Sequence, residues 1–183
     1  MSPKPRLALC CLLVVSTTSR AQLTHVALIK DESSIRYQLV HPLHTIDAIS
    51  KDALYVLDVD PATKEIKHAS VQVDVTTFDS GNSNRDSHAM EVIDAITYPA
   101  VVFTSDSIIQ HGDSLTITGN LTFHGITREI VVGATSAWSP NKLIIGGGFA
   151  ISLTAFNVER PSLLLVPVKD TLTFSVNAAF GWK

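Results

Sequence analysis

Three side chains of one short segment, Arg85, Asp86 and His88, are of types that bind anions or transfer protons. A guanidinium can bind a phosphate or carboxylate group, and an imidazole gains or loses a proton near neutral pH. Two interpretations are open for Arg85 and His88. They meet the polar head group of a ligand, or they belong to the local structure, with Arg85 pairing with a carboxylate to fix the Gly81-Asn82 turn. Asp86 fits the structural role, because an acidic side chain stabilises the start of a helix.

Histidine is the other residue type that invites a chemical role, since the chain has seven histidines and only two cysteines. His41 and His44 are three residues apart, but this stretch reads as a strand and contains Pro42. An odd separation on a strand sends two rings to opposite faces. The other histidines are scattered singly, without the spacing of a metal-binding motif. The sequence therefore predicts no metal site and no cofactor.

Signatures of catalysis are missing from the sequence. It contains no Gly-x-Ser-x-Gly elbow, no His-Glu-x-x-His motif and no P-loop. Gly146-Gly147-Gly148 lies inside an alternating pattern with no helix after it, which indicates a bend or a thin part of a wall. These observations favour a protein that is not an enzyme.

The dominant hydrophobic period along the chain is two, which is typical of antiparallel strands with one dry and one wet face. The clearest alternations run through Val71–Val75, Leu115–Phe123 and Thr171–Val176. Short turns at Asp60-Pro61, His111-Gly112-Asp113 and His124-Gly125 separate such runs. The pattern predicts a β-sandwich or a closed barrel. Further strands are expected at Thr24–Lys30, Ser34–His41, Asp52–Val59, Ala100–Asp106, Arg128–Ala137 and Leu143–Leu153.

One segment, Asn84–Ile96, lacks this alternation and predicts a short helix. Met90 and Ile93 fall on one helical face, and Asn84 or Ser83 can cap the helix. Tyr98-Pro99 then ends it, because a residue before proline disfavours helical geometry.

Three motifs follow one another in a fixed order and carry a family resemblance. They are Asp79-Ser80-Gly81-Asn82-Ser83-Asn84-Arg85-Asp86-Ser87-His88, Tyr98-Pro99-Ala100-Val101-Val102-Phe103-Thr104-Ser105 and Gly119-Asn120-Leu121-Thr122-Phe123-His124-Gly125-Ile126-Thr127-Arg128. With the earlier Ser34–His41 strand, the series resembles the YceI-like family of exported lipid-binding proteins. The chain departs from the family at residues 153–165, where Phe156 keeps a ring but a characteristic Arg-x-Asp string is absent.

The resemblance implies an all-β fold: an antiparallel eight-stranded lipocalin-like β-barrel with the short helix across one opening. It also implies that the interior encloses a long isoprenoid or other amphiphilic lipid tail, whereas the pattern alone favours an ordinary packed core. Met90 and Ile93 are the expected lid, and Arg85 and His88 are the head-group candidates. The expected pocket lining is Tyr37, Leu39, Val101, Phe103, Leu115, Ile117, Phe123, Phe149, Ile151, Phe156 and Phe174.

Simple energetics fit a tail of this kind. At about 0.8 kcal/mol per buried methylene, a five-carbon isoprene unit contributes up to about 4 kcal/mol. Two or three units then reach micromolar binding against ordering costs of about 4–15 kcal/mol. The expected ligand is an isoprenoid, a quinone or a fatty-acid-like lipid. The run Leu163–Val168 is expected either to line the pocket or to form an exposed flap.

The first 21 residues are typical of a cleavable signal peptide. Lys4 and Arg6 precede a nine-residue apolar run, Leu7–Val15, and Ser19-Arg20-Ala21 predicts cleavage between Ala21 and Gln22. Nine apolar residues are too few to span a bilayer, so no stable membrane anchor is expected. Residues 22–183 would then form one domain, periplasmic or secreted.

The charge of residues 22–183 argues against nucleic acid as a partner. They carry 11 basic and 17 acidic residues, because Lys4, Arg6 and Arg20 fall in the leader, and phosphate binding needs clustered Lys and Arg. A small-molecule lipid is the expected partner, and a homodimer is compatible with the sequence. Two alternatives stay open: an enzyme that acts on a lipid with His88 or His41 as acid/base, and a filled barrel that serves as a stress-response adaptor.

Overall fold

A computed structural model of the protein describes residues 24–163 and 165–182. The predicted signal peptide, residues 1–21, and its cleavage site lie outside the described residues. The fold is almost entirely antiparallel β-sheet, as expected. Its strands are β1 (Thr24–His25), β2 (Ala27–Leu28), β3 (Ser34–His41), β4 (His44–Ser50), β5 (Leu54–Asp60), β6 (Glu65–Asp74), β7 (Ala100–His111), β8 (Ser114–Phe123), β9 (Ile126–Ser139), β10 (Lys142–Ser152), β11 (Ser162–Leu163), β12 (Val166–Pro167) and β13 (Thr171–Gly181).

The main sheet curls into a barrel-like shape. Its strands pair in the order β1-β5-β6-β7-β8-β9-β10-β13-β3-β4, and β2 pairs with β13. Residues 24–28 bridge the two sides of the sheet, since Thr24 is opposite Val59 of β5 while Leu28 is opposite Phe180 of β13. Within the described residues β4 and β5 share no strand ladder. The barrel is therefore joined through residues 24–28 and open between β4 and β5.

The strand count is higher than the expected eight, because the main sheet holds eleven strands among the described residues. Two of these, β1 and β2, have two residues each. Another, β4, is not among the predicted strands. Its inward positions Ala48 and Ser50 are buried but small, so residues 44–50 lack the alternation of large apolar side chains that marks the other strands.

The turns between strands follow the predicted positions. His124 (φ 49°) and Gly125 (φ 72°) form a two-residue hairpin loop with both residues left-handed, the geometry that suits the twist of paired strands. The barrel has two ends. The turns at residues 61–64, 112–113 and 140–141 lie at one, called here the far end, and the turns at 42–43 and 124–125 lie at the other.

The helix α1 (Ser83–Val92) lies at this second end, called here the lid end. It is shorter than the predicted Asn84–Ile96, and its N-cap is Asn82, not Asn84 or Ser83. The Asn82 side chain accepts a hydrogen bond from the Arg85 backbone N–H at 3.1 Å. The chain leaves the helix after Ile93, where Asp94 takes a left-handed backbone conformation with φ 46°. Among the described residues no helix is long and apolar enough to cross a membrane.

Buried side chains form two clusters, one toward each end of the barrel. The far-end cluster contains Val59, Leu143 and Phe180, all nearly inaccessible to solvent. The lid-end cluster contains Phe78, Leu121 and Phe156, and the side chains of α1 pack against it. No residue of α1 is itself fully buried, as expected for a helix that covers an opening.

Candidate functional site

Two apolar cavities lie inside the barrel. The outer chamber, about 120 Å³, is beneath α1 at the lid end. The inner chamber, about 110 Å³, is deeper and reaches residues of the far-end cluster. An engineered cavity of about 150 Å³ in another protein holds a benzene molecule, so each chamber can hold a group of roughly that size.

The two chambers meet at Val101 and Phe174, which line both. The two side chains are almost completely buried, with 8% and 5% exposure. Phe149 stacks on Phe174 with ring centroids 5.0 Å apart and an interplanar angle of 19°. We call Val101 and Phe174 the waist. A ligand that occupies both chambers by this route must pass these two side chains.

Most of the predicted lining residues lie on a chamber wall. Tyr37, Leu39 and Phe123 line the outer chamber. Phe103, Ile117 and Phe149 line the inner chamber, and Val101 and Phe174 line both. Contact of these residues with a ligand stays a prediction.

Three predicted lining residues, Leu115, Ile151 and Phe156, line neither chamber and belong to the packed core. Leu115 lies in the far-end cluster, and Ile151 lies in the lid-end cluster. Phe156 ends the 3₁₀ turn Thr154–Phe156 and packs its ring against Phe123, with centroids 5.8 Å apart. Strand alternation indicates which side chains point inward, but it does not distinguish those facing a void from those facing another side chain.

Other chamber residues lie outside the predicted set. In the inner chamber they include Tyr55, Val71 and Val176; in the outer chamber they include Phe78 and Leu172. The alternation of Leu172, Phe174 and Val176 on β13 was a usable signal, since all three share one face. Gly147, at the centre of the glycine run, also lines the inner chamber. A Cβ there would come 2.7 Å from the Ala134 Cβ on β9, so only glycine fits at this closely packed point of the wall.

The lid residues and the head-group candidates lie together at the outer chamber. Met90, Ile93, Arg85 and His88 all line it. The His88 side chain is largely exposed, with its Nδ1 3.6 Å from a carboxylate oxygen of Glu91. The structure thus places two groups able to bind an anion beside an apolar chamber.

Arg85 and Asp86 are held by a common partner, Ser80. The Arg85 guanidinium donates through Nε to the Ser80 hydroxyl at 2.9 Å and through a terminal nitrogen to the Ser80 carbonyl at 2.6 Å. The Asp86 carboxylate accepts from the Ser80 hydroxyl and from its backbone N–H at 3.3 Å. The expected Arg85–carboxylate pair is replaced by these bonds. They fix the loop before α1 and hold the guanidinium at the chamber wall.

Tyr37 connects this polar group to the apolar chamber. Its ring packs on Phe78 with centroids 5.2 Å apart. Burial raises the pKa of the Tyr37 hydroxyl, and the nearby Asp86 carboxylate raises it further, while Arg85 acts in the opposite direction. The hydroxyl is therefore protonated at neutral pH.

His41 and His44 face each other, contrary to the expectation of opposite faces. Pro42-Leu43 is a two-residue turn, so the two histidines are cross-strand partners with ring centroids 5.1 Å apart. His41 is buried. Its Nδ1 accepts from the Leu43 N–H at 3.1 Å, so Nε2 carries the proton and donates to the Val166 carbonyl at 2.9 Å. Both ring nitrogens thus bind backbone, and the ring fixes the β11–β12 hairpin.

His124 has a structural role of the kind that its turn position indicates. Its Nδ1 lies 3.0 Å from the Phe156 carbonyl oxygen, and its ring packs edge-on against Tyr98. In the described part of the chain, no three His, Cys, Asp or Glu side chains come together as a metal site would require.

The divergent segment at residues 153–168 contributes to both the chamber and the surface. Leu153, Val158 and Pro161 line the outer chamber. Leu165, at the tip of the β11–β12 hairpin, is 97% exposed. The expected alternatives, lining and flap, apply to different parts of the segment.

Comparison with known proteins gives one family. The YceI-like domain family matches residues 27–180. The protein YceI of Escherichia coli is 32% identical over 108 residues, which are 55% of this chain and 55% of that protein, so the match spans about half the length of that relative.

Solved structures share the fold. BcnA of Burkholderia cenocepacia has a TM-score of 0.75 at 23% identity, covering 84% of this chain and 99% of that chain. A polyisoprenoid binding domain from Saccharophagus degradans has a TM-score of 0.67 at 10% identity, covering 88% of this chain and 100% of that chain.

Proposed function

Because the chain belongs to the YceI-like family, we propose that it binds a long-chain amphiphilic lipid and sequesters or transports it. The ligand class is an isoprenoid, a quinone or a fatty-acid-like lipid. The polyisoprenoid binding domain of Saccharophagus degradans, which shares the fold, supports this choice. We further propose that the protein works in the periplasm or outside the cell, on the basis of the signal-peptide pattern in residues 1–21.

The observation that carries the proposal is the pair of apolar chambers that meet at the waist. Their walls are almost entirely apolar, and the polar side chains Arg85 and His88 lie in the wall of the outer chamber. Apolar area supplies affinity, and a few polar groups fix the orientation of a ligand. A tail through both chambers with its head group at the lid end matches this distribution.

The head group would meet Arg85 first. Its guanidinium is already oriented by Ser80, so little conformational entropy is lost when it binds a phosphate or a carboxylate. The exposed His88 can adapt its position. Charged groups stay at the lid end because transfer of a charge into the apolar chambers is strongly unfavourable.

No reaction is part of the proposal. Of the two histidines considered as acid/base candidates, His41 has both ring nitrogens bound to backbone. His88 is largely exposed beside Glu91 rather than enclosed with a ligand.

Native mass spectrometry tests the proposal directly. The protein would be purified from the envelope of its own cells and, separately, from the same cells as a Val101→Phe variant that blocks the waist. We expect an additional mass, released on denaturation and soluble in organic solvent, in the unchanged protein and much less of it in the variant. A protein that carries no lipid from its envelope, and takes up none when incubated with isoprenoid and fatty-acid mixtures, would contradict the proposal.

A further inference from the structure

An apolar patch projects from the lid end of the barrel. Leu43, in the turn between β3 and β4, is 66% exposed, and Leu165, at the tip of the β11–β12 hairpin, is 97% exposed. Val166, beside Leu165, is 40% exposed. We call Leu43, Leu165 and Val166 the tip patch. Single exposed apolar residues are common on protein surfaces, but a cluster of them marks a surface that contacts an apolar partner.

His41 brings the two parts of the tip patch together. The Leu43 backbone N–H donates to His41 Nδ1 at 3.1 Å, and His41 Nε2 donates to the Val166 carbonyl at 2.9 Å. The turn and the hairpin are therefore held on either side of one buried imidazole ring. The tip patch has a fixed base rather than two independent loops.

Leu165 is an unfavourable residue at its position if only stability matters. Its backbone is left-handed, with φ 66°, a conformation that suits glycine or asparagine and is strained for leucine. Its side chain is almost wholly in water, so it adds nothing to the core. A strained backbone that carries an exposed apolar side chain points to a contact outside the chain.

The tip patch lies at the rim of the outer chamber. Leu39 and Ile46 are cross-strand partners on the two strands that flank Leu43, and both line that chamber. Pro161, just before β11, lines it as well. The turns at the far end, by contrast, contain no large apolar side chain. The exposed tips thus stand at the end of the barrel where α1 covers the outer chamber.

The size and charge of the tip patch fit a lipid surface better than a protein. Three side chains are far fewer than the roughly 20–30 residues that each partner contributes to a stable protein interface. A fluid bilayer needs no complementary pocket, because binding to it grows with each apolar side chain that enters. The charges at the base of the hairpin balance, with Glu159 and Asp170 against Arg160 and Lys169. Attraction to a surface would therefore be apolar rather than electrostatic.

Resting on the proposed function, we infer that the tip patch inserts into the surface of a lipid bilayer and brings the outer chamber to it. A ligand of the proposed class is poorly soluble in water, so its transfer is slow if it must first leave the bilayer. With the tip patch inserted, the ligand passes between the bilayer and the chamber with little exposure to water.

Vesicle flotation tests the inference without any ligand. The vesicles are of phosphatidylcholine, which has no net charge, so binding reports apolar contact. We expect the unchanged protein to float with them and Leu43→Ser/Leu165→Ser, the tip variant, to bind at least about tenfold more weakly, since burial of one leucine side chain contributes that factor. The matched control is Ile109→Ser/Val131→Ser, at two exposed positions on the outer faces of β7 and β9, and it should bind within about twofold of the unchanged protein.

Leu165→Asn separates contact from stability. Asparagine tolerates the left-handed backbone, so the variant should melt at the same or a higher temperature while its vesicle binding falls several-fold. A fall in both would show that Leu165 supports the hairpin, and it would overturn the inference. Unchanged vesicle binding would overturn it as well.

A transfer measurement links the tip patch to the ligand. The probe is a fluorescent prenol of three isoprene units, supplied in the same vesicles. In the tip variant the rate of transfer to the protein should fall about tenfold. Affinity for this prenol in vesicle-free solution should stay within about twofold, because neither Leu43 nor Leu165 lines a chamber.

The outcomes separate this inference from the proposed function. If the protein binds the prenol in solution but does not bind vesicles, or if the tip variant binds vesicles as well as the unchanged protein, the inference is wrong and the proposed function stands. If the protein binds vesicles but takes up no prenol, the proposed function fails in this form, and the transfer step fails with it. A dimer in vesicle-free solution that the tip variant abolishes would show that a second copy covers the tip patch, and it would also overturn the inference.

Discussion

The waist allows a quantitative prediction about ligand length. Val101 lies between the chambers, and replacing it by phenylalanine adds an aromatic ring at the only place where the two share wall residues among those described. Val101→Phe should therefore close the passage and confine ligands to the outer chamber. The effect should depend on chain length, since a short ligand never reaches the waist.

The magnitude follows from the apolar volume that becomes inaccessible. In the unchanged protein, each isoprene unit that enters the inner chamber contributes up to about 4 kcal/mol. Ordering of the chain offsets part of this, and we expect a net gain of at least about 1.4 kcal/mol, or tenfold, per unit. In Val101→Phe the gain per unit beyond the outer chamber should fall below about twofold.

The assay is a dye-displacement titration with prenols of one, two and three isoprene units, because each chamber holds a group of about one unit. Melting temperature is measured alongside, because overpacking a core position costs about 1–3 kcal/mol of stability. For a domain of this size that corresponds to a decrease of about 2–12 °C. Val131→Phe is the matched control: the same substitution on the outer face of β9, where Val131 is 59% exposed.

Two results would refute the reasoning. An unchanged gain per isoprene unit in Val101→Phe would show that ligands do not pass the waist. An equal loss for all three prenols, with a folded protein by circular dichroism, would show that Val101 contributes to binding in some way other than through the passage.

Three further predictions follow from single positions. Gly119→Ala should destabilise the fold by about 1–3 kcal/mol in thermal unfolding, because its Cβ would come 2.3 Å from the Thr104 carbonyl oxygen; a stable variant would contradict this contact. Phe103→Trp should shrink the inner chamber and weaken binding of the longest prenol with little effect on the shortest, and unchanged retention of all prenols would count against this lining. The hydrogen bond from the Ser152 hydroxyl lowers the pKa of Asp170 below its usual 3.8, so its contribution to stability is present above that value and is lost as pH falls through the lowered pKa. Asp170→Asn should therefore be less stable than the unchanged protein at pH 6, and this difference should shrink as the pH falls below 3.8; a difference independent of pH would rule out this ionisation.

The sheet could be predicted from the sequence wherever a strand alternates clearly between apolar and polar residues. Leu115–Phe123 alternates strictly between apolar and polar residues, and it forms β8 over Ser114–Phe123. Strand β4 breaks this rule because its buried positions are small, and small residues carry little hydrophobic signal. The His41–His44 contact could not be predicted from the spacing along one strand. The two residues lie on either side of a two-residue turn, so they are neighbours across the hairpin.

The candidate site could be predicted only in part, because a cavity is a property of packing. Phe149 and Phe156 look alike in the sequence, yet one stacks at the waist and the other fills the lid-end cluster. A fixed turn before α1 could be predicted from the sequence. The hydrogen-bond partners of Arg85 could not, because it binds the Ser80 hydroxyl and carbonyl where a carboxylate was expected.

The two ends of the barrel differ in how a ligand could enter, because Arg85 and His88 line only the chamber at the lid end. Arg85 and His88 line the outer chamber beneath a helix that contains no fully buried residue, so this end can exchange a ligand by a local movement of α1. The inner chamber instead reaches a cluster whose members Val59, Leu143 and Phe180 are almost inaccessible, and opening it there would disrupt well-packed core. A ligand that enters past α1 therefore reaches the waist before it reaches the inner chamber, and its apolar tail leads while its polar group stays beside Arg85 and His88. The Val101→Phe variant tests this order of entry, because it blocks the waist and leaves the outer chamber open.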